Sequence, residues 1–380
     1  MTESTSDDEL PEVLRGLSDD EVTDAFAVVG HELHRKSPRR RLVEALLSIT
    51  MIVVIFAFVI PRLTGSDYRE VWDRITTLNG PEIVLLVALW IAGMCTYTGV
   101  LTNTLPGLLH RQALVVNFAG SAVSNVMPFG GALGVGATYA IDMSWGFTAP
   151  AVTISILVSG VWNVFAKLGM PVLALVMIIL TGEPSGTLII PALLGLLVLA
   201  GAILILTLIL RSEQLAVTIG DLGQRSVNWL WSAARRTKTP DVLRAILDFR
   251  HESIGLVRRH WLRLTIWIVV YNGMQYLLLL TCVRLMHMND VGWAEVFAAF
   301  AFARLLETIP LTPSGVGFVE AGAASALIAF GGDEASATAA VFLFRGFVYL
   351  LEIPLGASAW LLWASLRGWR RPVGSVPIEV

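Results

Sequence analysis

Charged side chains are scarce in this chain. Only 15% of its 380 residues are Asp, Glu, Lys or Arg, against 55% hydrophobic, and the mean hydropathy is +0.69. That balance argues against a soluble globular fold and fits a polytopic membrane protein. Cysteine is nearly absent. Cys95 and Cys282 both fall in apolar runs, so neither a disulfide framework nor a paired-cysteine metal site follows. There is no His-Glu-x-x-His, no nucleophile elbow and no Walker loop, and the six histidines are scattered. No catalytic residue, metal or cofactor is assigned, and the chain is not expected to be an enzyme. Net charge is −3, but the charge is segregated along the sequence, so its sum says nothing about nucleic acid; no nucleic-acid partner is expected of a chain of this kind. Nor is a cleavable signal peptide: the start is acidic, and the first apolar run begins near Leu42.

What the chain has in quantity is long apolar runs. Full spans are expected near 42–62, 81–103, 148–180, 188–210, 261–286 and 335–366. Each reaches the ~20 residues a bilayer requires. The fold is therefore expected to be all-α. Gly169-Met170-Pro171 is expected to kink the long third run. Asp67 to Leu78 reads as a short interfacial helix carrying Trp72. Residues 1–41 form a polar arm. There Ser18-Asp19-Asp20-Glu21 is a capping box, and Val22, Ala25, Phe26, Val29 and Leu33 recur at helical spacing. This acidic amphipathic helix is either solvated or a docking element for a partner. The stretch 212–260 is expected to hold amphipathic helices. Thr239-Pro240-Asp241 starts one of them, as a basic connector or as a face lying on anionic lipid. The transmembrane domain is thus taken as 42–370, with 371–380 as a tail.

Basic residues orient the spans. Arg35 to Arg41, then Arg211 to Arg263, and then Arg367, Arg370 and Arg371 mark three cytoplasmic regions by the positive-inside rule. Both termini are then cytoplasmic, while Thr181–Gly186 and Gly331–Glu334 lie outside.

Two segments break the pattern of a membrane helix in the same way. One contains Asn125, Pro128, Gly130, Gly131, Gly134 and Gly136. The other contains Glu307, Pro310, Thr312, Pro313, Gly315 and Gly317. Each places a polar residue three before a proline and ends in Gly-Val-Gly. Backbone that leaves the helix at membrane depth must be buried in protein or line a cavity. If 111–145 crossed once, the basic stretch after it would lie outside. Each segment is therefore expected to enter and leave on one side, as a re-entrant hairpin or as two short spans. The first opens to the cytoplasm and the second to the exterior, which makes a candidate inverted repeat and a pointer to a transport site.

At each break a new helix begins and offers N–H groups and a positive dipole end to an anion. Thr312 can N-cap the second, with Pro313 at the first helical position. The plainer alternative is that Gly-Val-Gly only lets half-helices pack closely. Lys167, Arg304, Glu307, Glu320, Arg345 and Glu352 are ionisable residues inside apolar spans. Such residues either pair with one another or line a polar cavity. Asn125, Asn163, Asn272 and Gln275 add amides at similar depth.

From these residues the chain resembles the lysylphosphatidylglycerol synthase transmembrane-region family, also called the flippase-like integral membrane family, over roughly 40–370. The resemblance rests on Asn125 with Pro128 to Gly131 and Gly134, on the run Ile309 to Ala321, and on Arg345 with Tyr349, Pro354 and Gly356. It implies a multi-pass protein of a bacterial or archaeal inner membrane that handles lipids. In the synthases a region like this moves aminoacylated phospholipid between leaflets, and a soluble aminoacyl-transferase domain follows it. No such domain is expected after the last span here. Many members carry an acid and an arginine soon after the first glycine turn; this chain has Gly136, Ala137 and Thr138 there. Glu320 and Arg345 are the charged positions carried over from the resemblance.

The expected function is translocation of an anionic phospholipid or polyprenyl-linked lipid between leaflets. The half-helix N-termini near Gly130–Gly136 and Pro313–Gly317 would hold phosphate, assisted by Arg304 or Arg345. Glu307 and Glu320 would meet a cationic headgroup or relay protons. The alternatives are an intramembrane enzyme acting on a polyprenyl phosphate, and a scaffold for a lipid-synthesising enzyme.

Overall fold

A computed structural model describes residues 67–126, 130–181, 242–308 and 315–376, with scattered positions at 62–65 and 197–228. The expected spans at 42–62 and 188–210, the N-terminal helix, the turn at 182–186, and Pro128, Pro310, Thr312 and Pro313 lie outside the described residues.

The described elements are helical, with no strand among them. In chain order they are α1 (Tyr68–Thr76), α2 (Gly80–Thr104), α3 (His110–Val126), α4 (Gly130–Ser144) and α5 (Ala149–Thr181). Then follow α6 (Val242–Leu285), α7 (Trp293–Leu306), α8 (Phe318–Ala329), α9 (Glu334–Arg345) and α10 (Glu352–Ser365). Among the described residues, four helical segments are long and apolar enough to cross a membrane: Gly80–Thr104, Ala149–Thr181, Arg259–Leu285 and Glu334–Ser365. They coincide with four of the expected spans. Leu180, Leu361 and Val84 are 80%, 73% and 67% exposed, as befits an apolar surface whose solvent is lipid.

Local sequence explains the main boundaries. Asn79 accepts from the Glu82 N–H while Glu82 reaches back to the Asn79 N–H, and Pro81 stands in the first turn, so α2 starts sharply. Helix α1 is the short helix expected around Trp72, whose ring is exposed. Two expectations change. The amphipathic helix starting after Thr239 and the span beginning at 261 are one continuous helix, α6, because no proline or cap separates them. The last span is not uniform: Gly346–Leu350 forms one π-helical turn between α9 and α10, closed by Leu351 N–H to Gly346 O at 2.8 Å.

The remaining short helices form two antiparallel hairpins, α3–α4 and α7–α8. Gly134 lies against Ser124 and Gly120, and Gly322 lies against Leu306 and Phe302. Helix α2, about 37 Å long at 1.5 Å per residue, serves as a ruler between the two ends of the bundle. At its start, Arg74 of α1 bridges Asp333 at 3.0 Å and also donates to Ser336. Gly332 touches Met288 there, so both ends of the α7–α8 hairpin lie at this end. At the finish of α2, Gly107 meets Phe147 and Val376. The Arg371 and Gly374 N–H groups donate to Ser144 O at 3.0 Å and Gly146 O at 2.9 Å, and Arg111 stacks over Trp369. Both ends of α3–α4 therefore lie at the opposite end, clasped by residues 366–376. The two hairpins open at opposite ends of the bundle.

Candidate functional site

The tips of both hairpins converge on the π-helical turn. Helix α3 ends at Val126, which leaves carbonyls without intrahelical partners. The Tyr349 hydroxyl, from the π-turn, donates to the Asn125 carbonyl at 2.8 Å. At the other tip α7 ends at Leu306 with Glu307 as its C-cap, and the chain re-enters α8 through Gly315 (φ +70°) and Gly317 (φ +89°). Both conformations are left-handed and favour glycine, and a Cβ on Gly315 would crowd Val319. The Gly317 N–H donates to Glu320 Oε2 at 2.6 Å. The carboxylate of Glu320 thus already occupies the start of α8, where a bound phosphate was expected. Its other oxygen accepts from Arg345 Nε at 2.7 Å, and the Arg345 guanidinium stacks over Tyr349.

Between these tips lies a polar cavity of about 290 Å³. Five of the six ionisable span residues line it: Lys167, Arg304, Glu307, Arg345 and Glu352. Glu320 sits behind Arg345. Glu307 is the hub, with Arg304 at 2.7 Å, Lys167 at 3.2 Å and Arg345 at 3.9 Å. One carboxylate therefore faces three cations contributed by α5, α7 and α9. Burying a charge is expensive unless it is paired, and this arrangement satisfies the acid more fully than the bases. Arg304 donates to Asn272 at 3.4 Å, and its buried Nε has no hydrogen-bond partner. Neither Glu307 nor Glu320 stands ready for a cationic headgroup, because both already hold arginine.

A second cavity of about 390 Å³ adjoins the first, and Tyr97, Asn117, Ser121 and Asn125 line both. Its other walls include Gly120, Gly134, Val135 and Ile156. Val135 is 40% exposed, so this compartment lies beside the outer surface. The polar and the more apolar compartments are thus neighbours.

Of the residues expected at the site, Asn125, Arg304, Glu307 and Arg345 line the polar cavity, while Glu320 adjoins it through Arg345, Gly317 through Glu320 and Gly315 through Glu307. Gly134 lines the second cavity, and Gly130 and Gly131 open α4. Sequence reasoning did not single out Tyr97 and Tyr271, whose rings lie 4.8 Å apart in the wall. The signal available for them was a phenol in the middle of an apolar span, which needs a polar partner. Asn163 Nδ2 serves Tyr97 at 3.4 Å, and Gln275 donates to Tyr271 at 3.0 Å. No cluster of metal-ligating side chains occurs among the described residues.

The model of the lysylphosphatidylglycerol synthase TM region matches residues 43–356. The chain belongs to this family. The lysylphosphatidylglycerol synthase TM match encloses every residue lining either cavity, from Met94 to Glu352, whereas the clasp at 366–376 lies beyond it. No curated protein matches the chain. Membership and the four apolar helices together make it a multi-pass membrane protein of a family linked to lipid modification or transport.

Proposed function

We propose that this chain translocates an anionic phospholipid or lipid-linked anion between the leaflets of a bacterial cytoplasmic membrane. On this reading α3–α4 and α7–α8 are re-entrant hairpins of an inverted repeat. The observation that carries the reading is the cluster of Lys167, Arg304 and Arg345 around Glu307, with Glu320 behind Arg345, in a cavity halfway along the Glu334–Ser365 segment. Guanidinium and ammonium groups that are incompletely neutralised bind phosphate by charge-assisted hydrogen bonds. The adjoining cavity would take the glycerol or the first part of the chains.

In this arrangement the glycine turns shape the tips rather than hold phosphate, and the three cations hold it. The termini and the 366–376 clasp are cytoplasmic, in line with the basic residues near both. The test is reconstitution into liposomes carrying labelled phospholipid or labelled polyprenyl phosphate in both leaflets, followed by quenching of the outer leaflet. The wild type exposes the inner pool. Arg304→Gln, which removes a cation without its neighbours, slows exposure at least tenfold, the effect of about 1.4 kcal/mol. Wild-type protein that moves no such lipid overturns the proposal.

A further inference from the structure

The acids of the polar cavity are not equivalent. Glu307 has three cations within 4 Å and Glu320 has Arg345 at 2.7 Å. Glu352 lines the same cavity and is only 8% exposed, yet no ion pair involves it among the described residues. Its hydrogen-bond partner is the uncharged Ser121 of α3. The charged groups facing it across the cavity are Arg345 on its own span and Arg304 and Glu307 at the second tip. Tyr97 of α2 and Tyr271 of α6 also feel its charge, and Lys167 of α5 and Tyr349 complete the titratable lining.

The charge count then turns on one proton. Among the described residues, with Glu352 ionised and Glu320 counted behind Arg345, three cations meet three carboxylates and the cluster is neutral. With Glu352 protonated, one positive charge is left over, which matches one phosphodiester monoanion. A net charge in a low-dielectric interior is costly, so the occupied and empty cavities each favour the state that balances.

We propose that Glu352 carries one proton with each monoanionic phosphodiester lipid, so that lipid and proton cross together as an electroneutral pair. The inference rests on the transport reading above. No bond to carbon or phosphorus changes. The proton enters the Glu352 carboxylate from the side of lipid entry and leaves to water on the side of release.

Proteoliposomes of phosphatidylcholine with a trace of fluorescent phosphatidylglycerol test it. A pH difference of one unit is expected to sustain about a tenfold difference of label between leaflets, because one proton is worth one decade per unit. A potassium diffusion potential alone should produce none. Fluorescent phosphatidylcholine, which has no net charge, should ignore the gradient. Glu352→Gln should abolish the asymmetry of phosphatidylglycerol whatever its residual rate.

A second readout does not need transport. Calorimetric titration with dihexanoyl phosphatidylglycerol in buffers of different ionisation enthalpy should show proton uptake in the wild type that rises toward one per lipid with pH, and none in Glu352→Gln. Wild-type movement indifferent to the gradient, or binding without proton uptake, overturns the inference while leaving translocation standing. Binding with proton uptake but no movement overturns translocation and keeps the linkage. Neither binding nor movement overturns both.

Discussion

Replacing Glu320 with glutamine removes one charge from the most deeply buried ion pair of the site. The residue is 2% exposed, its Oε1 accepts from Arg345 at 2.7 Å, and its Oε2 accepts from the Gly317 N–H at 2.6 Å. Glutamine keeps an acceptor for Gly317, so the cap of α8 survives in part. The buried Arg345 charge then leans on Glu307, 3.9 Å away and already engaged with Arg304 and Lys167. Removing one partner of a buried pair costs about 3–5 kcal/mol, and the remaining acid places this case near the lower end, about 3 kcal/mol. That corresponds to a change on the order of a hundredfold in the folded-to-unfolded ratio. Glu320→Ala also loses the cap and should cost about 1 kcal/mol more. If charge pairing is the cause, the double variant Glu320→Met with Arg345→Met regains most of the loss, since apolar replacement of a buried pair is often neutral. Unfolding in mixed micelles titrated with dodecyl sulfate measures the wild type, Glu320→Gln, Glu320→Ala, the double variant and its two singles, Glu320→Met and Arg345→Met. A Glu320→Gln protein within about 0.5 kcal/mol of wild type would refute the reasoning; so would a double variant as unstable as the sum of its singles.

Three further outcomes follow from other parts of the molecule. At the bundle end shared by α1 and α9, the Asp333 carboxyl is held below the usual carboxylate range, first by the Ser336 N–H, against a smaller opposing effect of burial, with the Ser336 side chain and then Arg74 adding least. A depressed folded value stabilises fully above the unfolded value near ~4 and fades as pH falls through the folded one. Asp333→Asn keeps the cap and should flatten that acid dependence of the unfolding midpoint, whereas Asp333→Ala costs about 1 kcal/mol at neutral pH. Gly356 lets α10 lie directly on α3, where a Cβ would overlap Ala122 and the Phe118 carbonyl. Gly356→Ala should destabilise by about 1–3 kcal/mol. Gly160→Ala, with open space around it, should be neutral or slightly stabilising in the same unfolding titration. In a cysteine-free background, Asp290→Cys and Arg371→Cys, both exposed, should react with an impermeant maleimide from opposite sides of sealed vesicles; reaction from one side would refute the opposed hairpins.

Much of the architecture was legible because lipid imposes a coarse and unforgiving rule. An apolar run of the right length becomes a helix, and four of the expected spans appear within one or two residues of their expected limits. The basic segments and the two glycine breaks carried the expectation of oppositely oriented hairpins, and the Arg74–Asp333 and Arg371–Ser144 contacts lie at opposite ends of the bundle. The continuity of α6 was not legible. A change in composition near residue 260 looks like a boundary, yet without proline or a cap nothing stops the backbone hydrogen bonds. The π-turn at Gly346–Leu350 was equally hidden, because its apolar residues read as ordinary helix.

Sequence alone determined that this is a polytopic helical protein of its family, with rare ionisable residues that had to meet something other than lipid. It could not say what each one meets. Only the tertiary structure decided that Glu307 is ringed by three cations, that Glu320 is spent on Arg345 and Gly317, and that Glu352 is left with a serine. The reason is physical. Apolarity per residue determines depth in the membrane, but partnership between side chains 231 positions apart, as from Ser121 to Glu352, depends on how seven helices converge on one turn.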